Sequence, residues 1–362
     1  MSTTGNVKRT FIVAAILLVI IVLIKVATFF PGWIEYNYST GVYPNIAWVY
    51  RNLFGKLGVS VGDILYLAAG ILLCIGIAKF VRFAAKRRFR GQNLKRKLLK
   101  IFIVSAAIYI FFNLSWGLNY NRLGIAYQLK LDEEEHTVAD LKTITALLLA
   151  KVNEDRAALG RKVDYPAYAT VFNKAQIAYQ KAAIAYPFIT YNAPSVKRSL
   201  YGRMGSLLGF LGYFNPFTGE AQVNLTQPKF LVPFITCHEM AHQLGYASES
   251  EANFVGYMAA TSSKETQFKY SAHFDLFNYA NRELYLRDSL SAKDNYRRLD
   301  TLVKIDVAEL KEYLRRSNNV IEPFIRIFYD QYLKANQQDK GIKSYSEVVS
   351  WLIAYHKKYH RL

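Results

Sequence analysis

Acidic side chains are nearly missing from the first third of the chain. Residues 1–118 hold two of them, Glu35 and Asp63, against 15 Lys and Arg; residues 119–362 hold 25 acids against 31 bases. The excess of a chain with net charge +19 is therefore concentrated at one end. Cysteine is scarce as well, with Cys74 and Cys237 the only two. Beyond residue 118 Cys237 stands alone, so no intrachain disulfide can brace that part and it must rely on its own core. The same part shows no internal repeat and no low-complexity linker.

What the basic third does contain is three long apolar runs, about 11–30, 64–83 and 98–118. Each has about 20 residues, enough to cross a bilayer core. Positive loops beside apolar runs belong to a membrane protein, so the charge does not call for nucleic acid as a partner. Only Lys25 interrupts the first run, near its far end, where a long side chain reaches the headgroups. Lys8 and Arg9 precede that run as they would in a signal peptide. The run is longer than a signal core, however, and no small-x-small cleavage site follows before Pro31, so an anchor is expected. Trp33, Trp48 and Trp116 sit near the expected membrane edges.

The loops set the expected orientation. Residues 79–100 carry ten Lys and Arg and no acid, whereas residues 31–63 carry Arg51 and Lys56 against Glu35 and Asp63. Positive charge stays on the cytoplasmic side. The reading is an integral protein of the cytoplasmic (inner) membrane, N-terminus inside. Residues 1–118 form its membrane domain, and residues 119–362 lie outside as one domain with a sizeable core.

In the outer part, Thr137 opens a helical stretch to about Asn153, with the acidic run Asp132–Glu135 before it. A second helix is expected over Tyr168–Ala185, stopping before Pro187. Residues 198–232 are rich in Gly and Pro and suit short strands such as Glu220–Asn224. From Pro233 the pattern is mainly helical, with breaks near Ser262-Ser263 and near Gly341.

One stretch carries chemistry. Pro233 suits a first helical turn and Gly245 a helix end. Between them, His238 and His242 stand four residues apart on one helix face, and Glu239 follows His238. This is HExxH: two imidazoles for one zinc ion per chain, and a glutamate as general base. With 6 His and 15 Glu in the chain, chance gives the pattern in roughly one such chain in 250. A catalytic zinc takes a third protein ligand. Glu249 and Glu251 are the candidates. If Ser248 is an N-cap and Glu251 completes its capping box, Glu249 is left for the metal, with Asn253 bracing a ligand histidine. If Ser250 is the cap, Glu251 is released instead.

HEMAH with a downstream glutamate-bearing helix resembles the gluzincin metallopeptidases. Glu249-Ser-Glu-Ala252-Asn253 is similar to their Glu-x-x-Ala-Asp element, with Asn in place of Asp and a shorter separation than usual. More closely, the chain resembles an uncharacterised family of bacterial membrane proteins defined only as a domain of unknown function, DUF3810. That resemblance is carried by Trp116–Arg122, Pro216–Asn224, His238–Phe254, Tyr332-Leu-Lys and Ser344-Tyr345. It implies a zinc-site architecture and a membrane location, with no substrate attached.

Other residues are weaker candidates. Glu220, Gln222 and Asn224 mark a strand that could pair with extended substrate. Tyr257, Tyr270, His273 and Arg282 are candidates for stabilising an oxyanion. Cys237 points to another helix face and is expected in the core. His136, His356 and His360 show no partner pattern and are expected in solvent. Asn119, Tyr120 and Arg122 are candidates for seating the outer domain on the membrane.

The expected fold class is mainly α: three transmembrane helices, then a helix-rich zincin-like (α+β) domain with a small sheet. The expected function is a membrane-anchored zinc metallopeptidase acting on peptide or protein substrates in the cell envelope. The alternative is a membrane-anchored binding or sensing protein that uses the same fold without turnover. The motif lies more than a hundred residues beyond the last apolar run, which argues against an intramembrane protease.

Overall fold

The computed structural model describes residues 3–85, 91–131, 135–320, 322–335 and 347–362. Lys86, Arg87, Arg88 and Arg90, the acidic positions 132–134, the expected break near Gly341, and Ser344-Tyr345 lie outside the described residues. The chain is mainly helical, with one three-stranded sheet.

Three helices are long and apolar enough to cross a membrane: span one, Arg9–Ala27; span two, Val61–Arg82; span three, Leu94–Ser115. All three start a few residues earlier than the apolar runs, because helical geometry continues into their polar flanks. Span three stops at Ser115, where Trp116 leaves helical geometry with φ −162° and a 3-10 turn follows over Gly117–Asn121. Spans one and three pack together through Ile24 and Ile110, and Lys25 lies over the Tyr109 ring. Span two is different, for its apolar window is exposed along its whole length.

The connection between spans one and two is itself structured. Its π-helix Ile34–Val42 and α-helix Tyr43–Phe54 lie against the C-terminal part of the chain. Arg122 forms a fork on the buried Glu35 carboxylate at 2.7 and 2.9 Å. The Tyr43 hydroxyl donates to the Gln243 carbonyl at 3.0 Å. Lys197 donates to the carbonyls of Gly55 and Leu57. Residues 31–63 thus belong to the same body as the sheet and the later helices.

Three short strands lie in spatial order β1 (Val196–Arg198), β3 (Glu220–Val223), β2 (Gly212–Asn215). β3 runs parallel to β1 and antiparallel to β2. The helix Val138–Leu159 begins with a Thr137–Asp140 capping box and packs in the core through Leu141, Ile144, Leu148 and Val152. Tyr168–Ala185 ends two residues before Pro187. Two consecutive helices, Val232–Gln243 and Glu249–Thr261, are buried almost throughout, and Thr266–Arg287 covers them. Gly256 permits the first two to touch: a Cβ there would lie 2.9 Å from the His238 backbone nitrogen.

Candidate metal centre

The helix Val232–Gln243 has Pro233 in its first turn and ends before Gly245, whose φ of +86° favours glycine. His238 and His242 therefore project from one face, with ring centroids 4.8 Å apart. The chain turns and restarts at Ser248, which caps the next helix by accepting from the Glu251 N–H at 3.2 Å. Glu249 is then the first helical residue and faces back. Its Oε2 lies 3.2 Å from His238 Nε2 and 3.8 Å from His242 Nε2.

Glu251 points elsewhere. Its carboxylate accepts from the Ile125 N–H at 2.8 Å, and a Cβ on Gly124 would collide with it. Only the Ser248 half of the expected capping box is formed with the backbone, yet Glu251 is turned from the imidazoles all the same.

The other ring nitrogens are occupied. His238 Nδ1 meets Asn253 Oδ1 at 2.8 Å, and His242 Nδ1 meets the Tyr246 carbonyl at 2.8 Å. With an acceptor at each Nδ1, Nε2 is the nitrogen that donates its proton to Glu249 and that, once deprotonated, would offer an electron pair to an ion. The ligand atoms of His238, His242 and Glu249 lie within 4.8 Å of one another. Two imidazoles and one carboxylate, with room beside them, suit a catalytic zinc ion.

The electrostatics follow from burial and proximity. Burial raises the Glu249 carboxyl, but hydrogen bonds from both histidines outweigh this and hold it well below the usual carboxylate range. Burial lowers His238, whereas Glu249 and Glu239 bring it up to about 9. Glu239 is pushed up to about 7, chiefly by burial and against the pull of the two imidazoles. Its Oε2 is buried and has no hydrogen-bond partner among the described residues. Gly212 of β2 makes room for it, since a Cβ there would sit 2.5 Å from Glu239 Oε1.

The cluster opens into a cavity of about 900 Å³. Glu239, Asn253, Asp275 and Tyr279 line it near the imidazoles, and Gly209–Phe214 forms one wall. Tyr66 of span two and Ser105, Ile108, Tyr109 and Phe112 of span three form another. Sequence distance therefore misleads about how near the cluster lies to the apolar helices. Trp116, at the end of span three, is buried inside the protein, and its Nε1 donates to the His242 carbonyl at 3.1 Å.

The strand expected to receive substrate is not placed for it. β3 is central, with both edges taken by β1 and β2. Its side chains are committed as well. Glu220 accepts from the N–H groups of Val61 and Gly62 at the start of span two, at 3.2 and 2.5 Å. The Gln222 amide meets the Ser60 hydroxyl at 2.9 Å, and Asn224 reaches Ser206. The edge strand beside the cluster is β2.

None of the four oxyanion candidates lines the cavity. Tyr257 is buried in the core, Tyr270 donates to Asp306 at 2.5 Å, and His273 pairs with Asp155 at 2.6 Å. Arg282 is exposed. Asp275 and Tyr279, from the same helix, are the residues that reach the cavity; their i, i+4 spacing was the available signal. Burial raises Asp275 to about 6 and Tyr279 well above its ordinary value.

Cys237 is buried, as expected. His136 is not solvated: it meets Glu283 at 2.8 Å and Ser350 at 3.2 Å. His356 is half-buried and His360 exposed. Asn119 and Arg122 are buried inside the protein, with Arg122 also donating to the Gly245 carbonyl, so neither faces a membrane. Tyr120 lines the cavity beside Trp116.

The fold and site define a helical chain with three apolar, span-length helices and a buried His-His-Glu cluster beside them. Residues 38–353 match the family described as protein of unknown function (DUF3810), and the chain belongs to that family. No curated protein and no solved structure matches it.

Proposed function

We propose that this chain is a membrane-anchored zinc metallopeptidase with a zincin-like catalytic domain. The observation that carries the reading is the convergence of His238 Nε2, His242 Nε2 and Glu249 Oε2 beside Glu239, whose buried Oε2 has no hydrogen-bond partner among the described residues. His238, His242 and Glu249 would hold the ion. The zinc would supply Lewis acidity and a water of lowered pKa.

The chain's own residues would do the rest. Asn253 and the Tyr246 carbonyl keep both rings in donor orientation. Glu239 takes a proton from the attacking water and returns it to the leaving amine. Tyr279 replaces the four expected residues as the group able to stabilise charge on the peptide oxygen. β2 offers backbone groups to an extended peptide.

The charge pattern supports an orientation with the cluster outside. The residues 31–63 pack around the site end of spans two and three, and the basic 79–100 segment joins their opposite ends. A non-catalytic binding protein would not need Glu239. Envelope proteins from cells carrying the parent or Glu239→Gln should therefore differ in cleavage products, while the purified variant keeps its zinc. Identical products would overturn the peptidase reading.

A further inference from the structure

The wall of the cavity that span three supplies is a single helical stripe. Ser105, Ile108, Tyr109, Phe112 and Trp116 recur at intervals of three, one, three and four residues. The stripe runs from the His242 ring, whose centroid is 6.2 Å from that of Trp116, down to Ser105. From Ser115 to Ser105 the helix descends about 15 Å. That is about half of the ~30 Å hydrocarbon core. With a bilayer surface at the Ser115 end of span three, the cavity would run from the candidate metal ligands to about mid-bilayer depth.

Its far side is open. Span one covers the face of span three that carries Ala106 and Ile110, and touches the stripe where Lys25 lies over the Tyr109 ring. Span two contributes Tyr66 at its upper end, and its remaining length is exposed. Ile108, inside the stripe, is itself 55% exposed. A site reached only from water has no use for an apolar trough of this depth. An edge strand, β2, lies at the top of the same trough.

We infer that the substrate is a membrane-anchored polypeptide that enters sideways from the bilayer between spans two and three. Its apolar segment lies along the Ser105–Trp116 stripe. The first extended residues beyond the bilayer lie beside β2, which brings the scissile bond to Glu239. This inference rests on the peptidase reading and names its substrate class. Cleavage should fall within about ten residues of the end of an apolar segment, since only a short extended stretch separates the stripe from the ligands.

The test compares new N-termini in membranes from cells making the full-length parent, Glu239→Gln, Ser105→Trp or Val19→Trp. Ser105→Trp fills the trough far from the ligands; Val19→Trp adds the same ring to the exposed face of span one, outside the trough. Zinc content and thermal melting of the purified variants report whether each is folded. The expected result is a set of Glu239-dependent termini that flank apolar segments. Ser105→Trp should reduce them at least tenfold, and Val19→Trp should leave them unchanged. Glu239-dependent termini in water-soluble proteins, or termini indifferent to a folded Ser105→Trp, would overturn this inference and leave the peptidase standing. No Glu239-dependent termini at all would overturn both. If Ser105→Trp does not fold, Ile108→Trp fills the same trough one turn higher and is read in the same way.

Discussion

Trp116 Nε1 donates to the carbonyl oxygen of His242 at 3.1 Å. That bond joins the last residue turn of span three to the helix that carries both histidines. Arg122 adds a second tie, from Glu35 to the Gly245 carbonyl just beyond the same helix. The cluster is thus fixed to the end of span three across a sequence separation of 126 residues.

Trp116→Phe should keep the ring contact and lose the hydrogen bond. A single buried bond of this kind contributes about 1 kcal/mol. The expected outcome is a small drop in melting temperature with zinc content unchanged, read by thermal unfolding and metal analysis. Full loss of zinc would show that the bond positions the ligands far more strongly than argued.

Glu35 and Arg122 should give the acid limb of stability a specific component. Burial raises the Glu35 carboxyl, but the Arg122 fork, the Gly124 N–H and Gln128 outweigh it, so the net shift is downward. Glu251 and Tyr246 also face this pair, which lies near both. A carboxyl lowered by folding stabilises above its unfolded value of about 4.3 and loses that contribution as pH falls. Glu35→Gln should cost about 3 kcal/mol at pH 7, because it leaves a buried guanidinium unpaired. The difference from the parent should shrink below about pH 4. Melting curves across pH would show it; a difference constant with pH would contradict it.

Tyr279→Phe and Tyr257→Phe separate cavity from core. The first should lower kcat about 10²-fold, the size of losing one oxyanion donor, with zinc retained. The second removes a buried hydroxyl that has no partner among the described residues, and should leave kcat within about twofold and stability no lower. Steady-state kinetics on a substrate found by terminus mapping would decide. Equal losses would place Tyr257 at the site and refute the assignment.

Gly212→Ala should disable the base without touching the ligands. Its Cβ would meet Glu239 Oε1 at 2.5 Å, and both the strand and the buried side chain resist moving. Turnover should fall while zinc per chain stays at the parent's level.

Much of this arrangement was legible in the chain. The three apolar runs, the helix from Pro233 to Gly245, and the Ser248 cap follow from local rules of length, periodicity and capping. The pairing of His238 and His242 was legible for the same reason, since i, i+4 spacing on a helix fixes where two rings point. What local rules cannot supply is the order of strands. Glu220–Val223 reads as a strand but lies in the centre of the sheet, because β1, a separate segment, covers one edge. Nor can they supply packing between distant helices. His273 and Asp275 are two residues apart, yet one faces Asp155 and the other the cavity. Trp116 reads as a membrane-edge tryptophan, and only the fold shows it buried against His242.

The central claim is that His238, His242 and Glu249 hold one zinc ion. It is tested most directly by metal content per purified chain, measured by mass spectrometry on the parent, Glu249→Ala and Glu251→Ala. The account predicts about one zinc in the parent, loss in Glu249→Ala, and retention in Glu251→Ala, whose cost is stability through the orphaned Ile125 N–H. Zinc kept by Glu249→Ala and lost by a folded Glu251→Ala, or no zinc in the parent when it is offered at neutral pH, would contradict it.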